Sequence, residues 1–115
     1  MSKIYYLSTC DTCKRIMNQW NLDGVQFQDI KHEPITEEQI DEMIALAGSA
    51  EALFSKRARK YKELGLKDKT LNDGDIRAFI LEEYTFLKRP VLIHDGAIFI
   101  GNSAKVVAAA ATALA

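Results

Sequence analysis

An α/β fold is what this 115-residue sequence predicts: a βαβ half and a ββα half sharing one four-stranded mixed sheet, with a helical insertion between the halves. Three observations carry the prediction. An apolar run near the start, Ile4 to Leu7, leads into a helix-period pattern and then a second extended segment. A central block shows helix caps and staples without strand alternation. Near the end, two short apolar runs flank Asp95-Gly96, and a last helical pattern follows.

Ile4 to Leu7 is continuously apolar, as suits a strand buried on both faces. Cys13, Ile16, Met17 and Trp20 then recur at three- and four-residue spacing, which predicts a helix with one buried face, closed by Gly24. Val25 to Ile30 alternates, with Val25, Phe27 and Asp29 opposing Gln26, Gln28 and Ile30, and is expected to be the second strand. Strand, helix and strand in about 30 residues make a βαβ unit with parallel strands. Thr36 and Gln39 match a capping box, with Ile35 and Ile40 at the staple positions. Ile40, Met43, Ile44 and Ala47 supply the buried face of that helix, and Gly48-Ser49 ends it. A further helix is expected through Leu53, Phe54, Ala58, Tyr61 and Leu64, ended by Gly65. Asn72 caps another, with Leu71 and Ile76 as staple and Ile76, Phe79 and Ile80 facing inward.

Val91 to Ile93 and Ala97 to Ile100 form a hairpin across Asp95-Gly96, because both turn residues tolerate positive φ. After Gly101, Asn102 or Ser103 caps a final helix that buries Val106, Val107, Ala110 and Leu114. This order is a thioredoxin-type layout: a single domain over residues 1–115 with a helical insertion at about 34–86.

Composition narrows the function. Apolar residues make up 48% and charged residues 27%, and the net charge of −1 gives no bulk argument for direct nucleic-acid or membrane-surface binding. No signal peptide is evident near Met1, and no stretch approaches the roughly 20 apolar residues of a membrane span. A cytoplasmic protein is expected. The two cysteines are separated by two residues, so a disulfide between them closes too short a loop to staple a fold. In a reducing compartment such a pair is redox-active or metal-binding. Zinc needs two more ligands, and His32 and His94 are not in finger spacing, so no metal and no bound cofactor are expected. A phosphatase-like C-x5-R loop is absent, since Arg15 is one residue too close to Cys10, and no phosphate-binding or dinucleotide fingerprint is present. Lys56, Arg57, Arg59, Lys60 and Lys62 form a basic cluster of the kind found on a solvated helix face.

The chemistry is expected at Cys10-Asp11-Thr12-Cys13, where the first strand meets the first helix. First-turn N–H groups and the helix dipole favour thiolate at Cys10, and Lys14 and Arg15 add positive charge, while Asp11 opposes it. Cys13, one turn later, is placed to resolve a mixed disulfide on Cys10, and also fits the apolar face of the helix. Thr12 and the first-turn amides are candidate oxyanion holders. Arg89-Pro90 precedes a strand, and Pro90 cannot donate to the ladder. In thioredoxin-type folds the equivalent bond is cis and lies against the cysteine motif. Arg89 is then expected near the Cys10 sulfur, where a guanidinium binds an oxyanion bidentately and stabilises the thiolate.

Three segments carry a resemblance over nearly the whole chain: Tyr6-Leu7-Ser8-Thr9-Cys10-Asp11-Thr12-Cys13-Lys14; Ala52-Leu53-Phe54 with Tyr61-Lys62-Glu63-Leu64-Gly65-Leu66; and Leu87-Lys88-Arg89-Pro90-Val91 leading into Gly101. In these the sequence resembles the arsenate reductase family of thioredoxin-fold proteins, the glutaredoxin-linked type, together with its Spx-like relatives. The resemblance implies a Cys10 nucleophile that attacks arsenate, glutathione as co-substrate, and glutaredoxin or thioredoxin as the protein that restores the thiol. It implies that Arg89 is one oxyanion-binding arginine, beside Pro90, while the places of two further arginines hold Ser55 and Asn102. The C-x-x-C pair is similar to the redox switch of Spx-type regulators, which implies RNA polymerase as an alternative partner.

Overall fold

A computed structural model describes residues 2–115. In chain order the elements are β1 (Ser2–Tyr6), α1 (Asp11–Met17), β2 (Gln26–Asp29), α2 (Glu37–Ala47), α3 (Arg59–Glu63), α4 (Asp73–Glu82), β3 (Val91–His94), β4 (Ala97–Ile100) and α5 (Ala104–Leu114), with short 3-10 turns at Glu51–Leu53, Leu66–Asp68 and Tyr84–Phe86. The chain divides into two compact units. One holds the residues up to Glu33 together with Arg89–Ala115, and the other is Pro34–Lys88.

The first unit carries the sheet, in the order β2-β1-β3-β4. β1 pairs parallel with β2, Tyr6 opposite Asp29, and antiparallel with β3, Ile4 opposite Leu92. β3 and β4 are antiparallel and joined by Asp95-Gly96, whose φ values of 49° and 83° are those of a tight hairpin turn. Gly96 supplies the second positive φ without a Cβ in the way, as the dipeptide predicts. On one face, Ile4 and Leu92 pack with Ile16, Trp20, Val25, Ala110 and Leu114 into the core of this unit. β2 begins one residue later than the alternation suggests and ends one earlier, and on this edge strand both Gln26 and Phe27 are exposed, while Gln28 is buried and donates to the Glu33 carbonyl at 3.0 Å.

The first helix is shorter than expected. It stops at Met17 rather than running to Gly24. Gln19 N–H then donates to Ile16 O at 2.9 Å and Trp20 N–H to Met17 O at 3.2 Å, the i to i−3 pattern of tight turns. The reason is tertiary: these turns aim the Trp20 indole Nε1–H at the Val107 carbonyl of α5, 3.1 Å away, while its ring stays in the core. Asn18, Asn21, Asp23 and Gly24 are weak helix formers and offer little resistance. Trp20→Phe keeps most of the apolar burial and loses that bond. A destabilisation of about 1 kcal/mol is expected, seen as a lower urea midpoint at unchanged slope. An unchanged midpoint would mean that the indole N–H contributes nothing.

The second unit is helical. The Thr36 Oγ1 accepts from Gln39 N–H and the Gln39 Oε1 accepts from Thr36 N–H, both at 3.1 Å, which is the predicted capping box. Ile40 and Met43 are fully buried, and Ile44 and Ala47 lie at the margin of that face. Gly48 closes α2 in the left-handed conformation, φ 91°. Asn72 caps α4 as expected, with Asp75 completing a second capping box. On the surface, Arg77 Nε donates to Asp41 at 2.8 Å and ties α4 to α2.

The helix expected from Leu53 to Leu64 is not continuous. Phe54 is extended, φ −84° and ψ 121°, and bridges Leu87. Ser55 N–H donates to Phe86 O at 2.6 Å and Lys88 N–H to Leu53 O at 2.8 Å. Backbone groups there find long-range partners in place of helical ones. Phe54 gains ring contacts with Tyr61 and Phe86, at centroid distances of 5.7 and 5.3 Å. Only Arg59–Glu63 remains helical. The basic residues Lys56, Arg57, Arg59, Lys60 and Lys62 are all exposed, with Lys56 and Lys60 near Glu51 and Glu63 at 3.5 and 3.9 Å.

Candidate active site

Cys10 lies beyond β1, in a turn closed by its own N–H donating to Leu7 O at 3.1 Å. It is the N-cap of α1, with an extended backbone at φ −97° and ψ 110°. Its carbonyl accepts the Lys14 N–H at 3.1 Å and its Sγ accepts the Cys13 N–H at 3.4 Å. The sulfur therefore takes the place of the side-chain oxygen at an ordinary helix cap. A thiolate accepts such a bond better than a thiol does, so the cap geometry selects the charged form.

The electrostatics follow from that placement. Burial pushes the Cys10 thiol up, but the Cys13 N–H, the Cys13 thiol, the Arg89 charge and the Thr12 N–H all pull it down, and the balance lies below the ordinary cysteine value. Cys13 is fully buried on the inner face of α1, and both cysteines are free. Burial, first, and then the neighbouring Cys10 sulfur push Cys13 up to about 11, against a Leu7 backbone hydrogen bond and Arg89. Cys10 is thus the more acidic of the two, and Cys13, held as a thiol at neutral pH, donates to it.

Arg89 is half-buried and joined to Pro90 by a cis peptide bond. Its positive charge reaches both sulfurs, which brings the far end of the sequence to the cysteine motif. Pro90 is buried, and its carbonyl accepts the Gly101 N–H at 2.9 Å, holding the start of β3 to the end of β4. Thr12 is half-buried in the first turn of α1. Asn102 is exposed on the segment entering α5, and the cap of that helix is Ser103, whose Oγ accepts the Val106 N–H at 3.3 Å. Ser55 belongs to the second unit.

Asp29 and Ser8, beside the motif, appear in the sequence-based expectations only as a strand position and as part of the cysteine segment, without a role in the site. Asp29, the last residue of β2, accepts from the Ser8 hydroxyl, from the Lys31 N–H at 3.2 Å and from His32 Nδ1 at 2.8 Å. A carboxylate only accepts, so this His32 nitrogen carries the proton. Burial pushes the Asp29 carboxyl up, but the Ser8 hydroxyl, His32 and the Lys31 and Ser8 N–H groups outweigh it and bring it to about 2. The available signal was positional: an acidic residue at the end of β2 faces the loop leaving its parallel partner β1.

Among the described residues, no group of three or more His, Cys, Asp or Glu side chains is arranged to hold a metal ion. No helix among them is long and apolar enough to cross a membrane.

The model of the ArsC family matches residues 5–110. An arsenate reductase of Yersinia enterocolitica is 29% identical over 93 residues, an alignment that spans 78% of this chain and 66% of that relative. Among solved structures, one described as the YffB protein superposes with a TM-score of 0.83 at 24% identity over 100% of both chains. An arsenate reductase from Vibrio cholerae superposes with a TM-score of 0.78 at 20% identity, over 94% of this chain and 95% of that one. At these identities the structural likenesses establish the α/β, thioredoxin-like fold.

Proposed function

From the premise that this chain belongs to the ArsC family, we propose that it is a thiol oxidoreductase of the arsenate reductase kind, working through a Cys10 thiolate. The observation that carries the proposal is the Cys10 sulfur at the helix cap, receiving the Cys13 N–H and lowered in pKa with help from Arg89. A thiolate at neutral pH is what nucleophilic attack on arsenic(V) or on a disulfide requires. Arg89 supplies charge for an incoming oxyanion, and Thr12 with the first-turn amides flanks the same sulfur. In this proposal Pro90 shapes the wall beside it, and Asn102 adds a polar side chain from the segment entering α5.

The electron donor in this proposal is glutathione, with glutaredoxin or thioredoxin restoring the thiol. The balance is one arsenate and two glutathione thiols giving arsenite, glutathione disulfide and water. No bound cofactor takes part. Such a reaction belongs in a reducing, cytoplasmic compartment. The test is coupled turnover with glutathione, glutaredoxin and glutathione reductase, using arsenate or a small mixed disulfide. Consumption of reductant that depends on this protein is expected with at least one substrate; none with either overturns the enzyme reading.

A second reading rests on the free Cys10/Cys13 pair together with Ser55 and Asn102 at the places of the family's other arginines. It is an Spx-like redox-responsive regulator that docks on RNA polymerase. Retention of polymerase on immobilised protein in only one redox state is its expected result, and no retention in either state removes it.

A further inference from the structure

Ser8 is the second residue of the turn that carries Cys10, and it is tied twice to Asp29, through its hydroxyl and through its backbone N–H. Asp29 is itself anchored. It pairs with Tyr6 across the parallel ladder, its carbonyl accepts the His32 and Glu33 N–H groups at 3.1 and 2.8 Å, and its carboxylate takes Lys31 and His32. The next residue, Ile30, donates to Tyr6 O at 3.0 Å. One end of the link is thus rigid sheet, and the other is the loop whose conformation sets where the sulfur sits.

We propose that Asp29 is a positioning residue for Cys10, acting through Ser8: its carboxylate holds the Leu7–Cys10 turn so that the Cys10 sulfur faces the Cys13 N–H. This deepens the Cys10 reading above and rests on it. The carboxylate stays ionised across any practical assay range, so it accepts from all its donors at once. In this proposal the effect passes through the backbone of residues 8–10.

The sign of one measurement separates positioning from simple charge. Removing a nearby negative charge through space would stabilise the thiolate and lower the Cys10 pKa. Loosening the turn weakens the N–H bond to sulfur and raises it. The experiment is the rate of Cys10 alkylation by iodoacetamide against pH, with the labelled residue identified by mass spectrometry, in wild type, Asp29→Asn, Ser8→Ala and Ser8→Thr. Asp29→Asn and Ser8→Ala are expected to shift the midpoint upward and to slow alkylation about three- to tenfold at a pH below it. Ser8→Thr keeps the hydroxyl and is expected to follow wild type. Ser8→Ala changes no charge and carries the test if Asp29→Asn does not fold. Midpoints that superimpose on wild type, a downward shift in Asp29→Asn, or Ser8→Thr shifting as far as Ser8→Ala would each overturn the proposal. A wild-type midpoint equal to that of a free thiol would instead remove the Cys10 reading on which it stands. Because iodoacetamide needs no enzyme substrate, the outcome does not depend on whether arsenate is turned over.

Discussion

Cys10→Ser is expected to reduce coupled turnover by at least about a thousandfold, because a serine hydroxyl is almost entirely protonated at neutral pH and its oxygen is a far weaker nucleophile toward arsenic or sulfur. The geometry tolerates the substitution: serine is a favoured N-cap residue, and its hydroxyl can take the Cys13 N–H that the sulfur now receives. A loss of activity with intact thermal stability therefore isolates chemistry from folding. Cys13→Ser is the informative partner. With its thiol pushed up to about 11 and no exposed surface, Cys13 is thiolate in only about one molecule in ten thousand at pH 7. Turnover supported by glutathione is expected to fall no more than about threefold in this variant, since the external thiol performs the second step. Comparable inactivity of the two variants would show that the buried thiol belongs to the obligatory cycle.

Arg89→Ala is expected to have the second largest effect. Its charge is one of the influences that outweigh burial at Cys10, so removing it leaves the upward push less opposed. The alkylation midpoint of Cys10 should rise, and reactivity at a pH below that midpoint should fall with it. For an oxyanion substrate the loss is larger, because a charge-assisted and bidentate contact disappears as well. A fall in kcat/KM of about a hundredfold, equivalent to about 2.7 kcal/mol, is the expected scale. Arg89→Lys restores the charge without the planar fork. It should recover the alkylation midpoint while leaving anion turnover depressed by about tenfold. Alkylation curves for Arg89→Ala and wild type that coincide would mean that the guanidinium does not act on the sulfur, and Arg89 would lose its assigned role.

Much of the framework is legible in short-range patterns. The Thr36/Gln39 and Asn72 caps and the Asp95-Gly96 turn are local features, and each is specified by the conformational preferences of two to four adjacent residues. The same holds for the cysteine motif: a sulfur at the residue before a helix meets first-turn N–H groups whatever surrounds it. What misled periodicity was long-range demand. Leu53 to Leu64 has helical spacing, yet Phe54 is drawn into an extended bridge with Leu87 because the backbone groups of residues 53–55 find partners at 86–88. Likewise α1 ends early so that the Trp20 indole can reach Val107.

By itself, the sequence determined the α/β class, the strand order, the helix caps at Thr36 and Asn72 and the placement of Cys10 at the start of α1, because all of these depend on neighbours within a few positions. Tertiary structure decided three things: the reach of the Arg89 charge to the buried Cys13 as well as to Cys10, the opposite directions in which the two thiols are shifted, and the tie from Asp29 to the Cys10 turn. Each depends on burial and on distances between residues remote in the chain, which chain folding sets and residue order does not display.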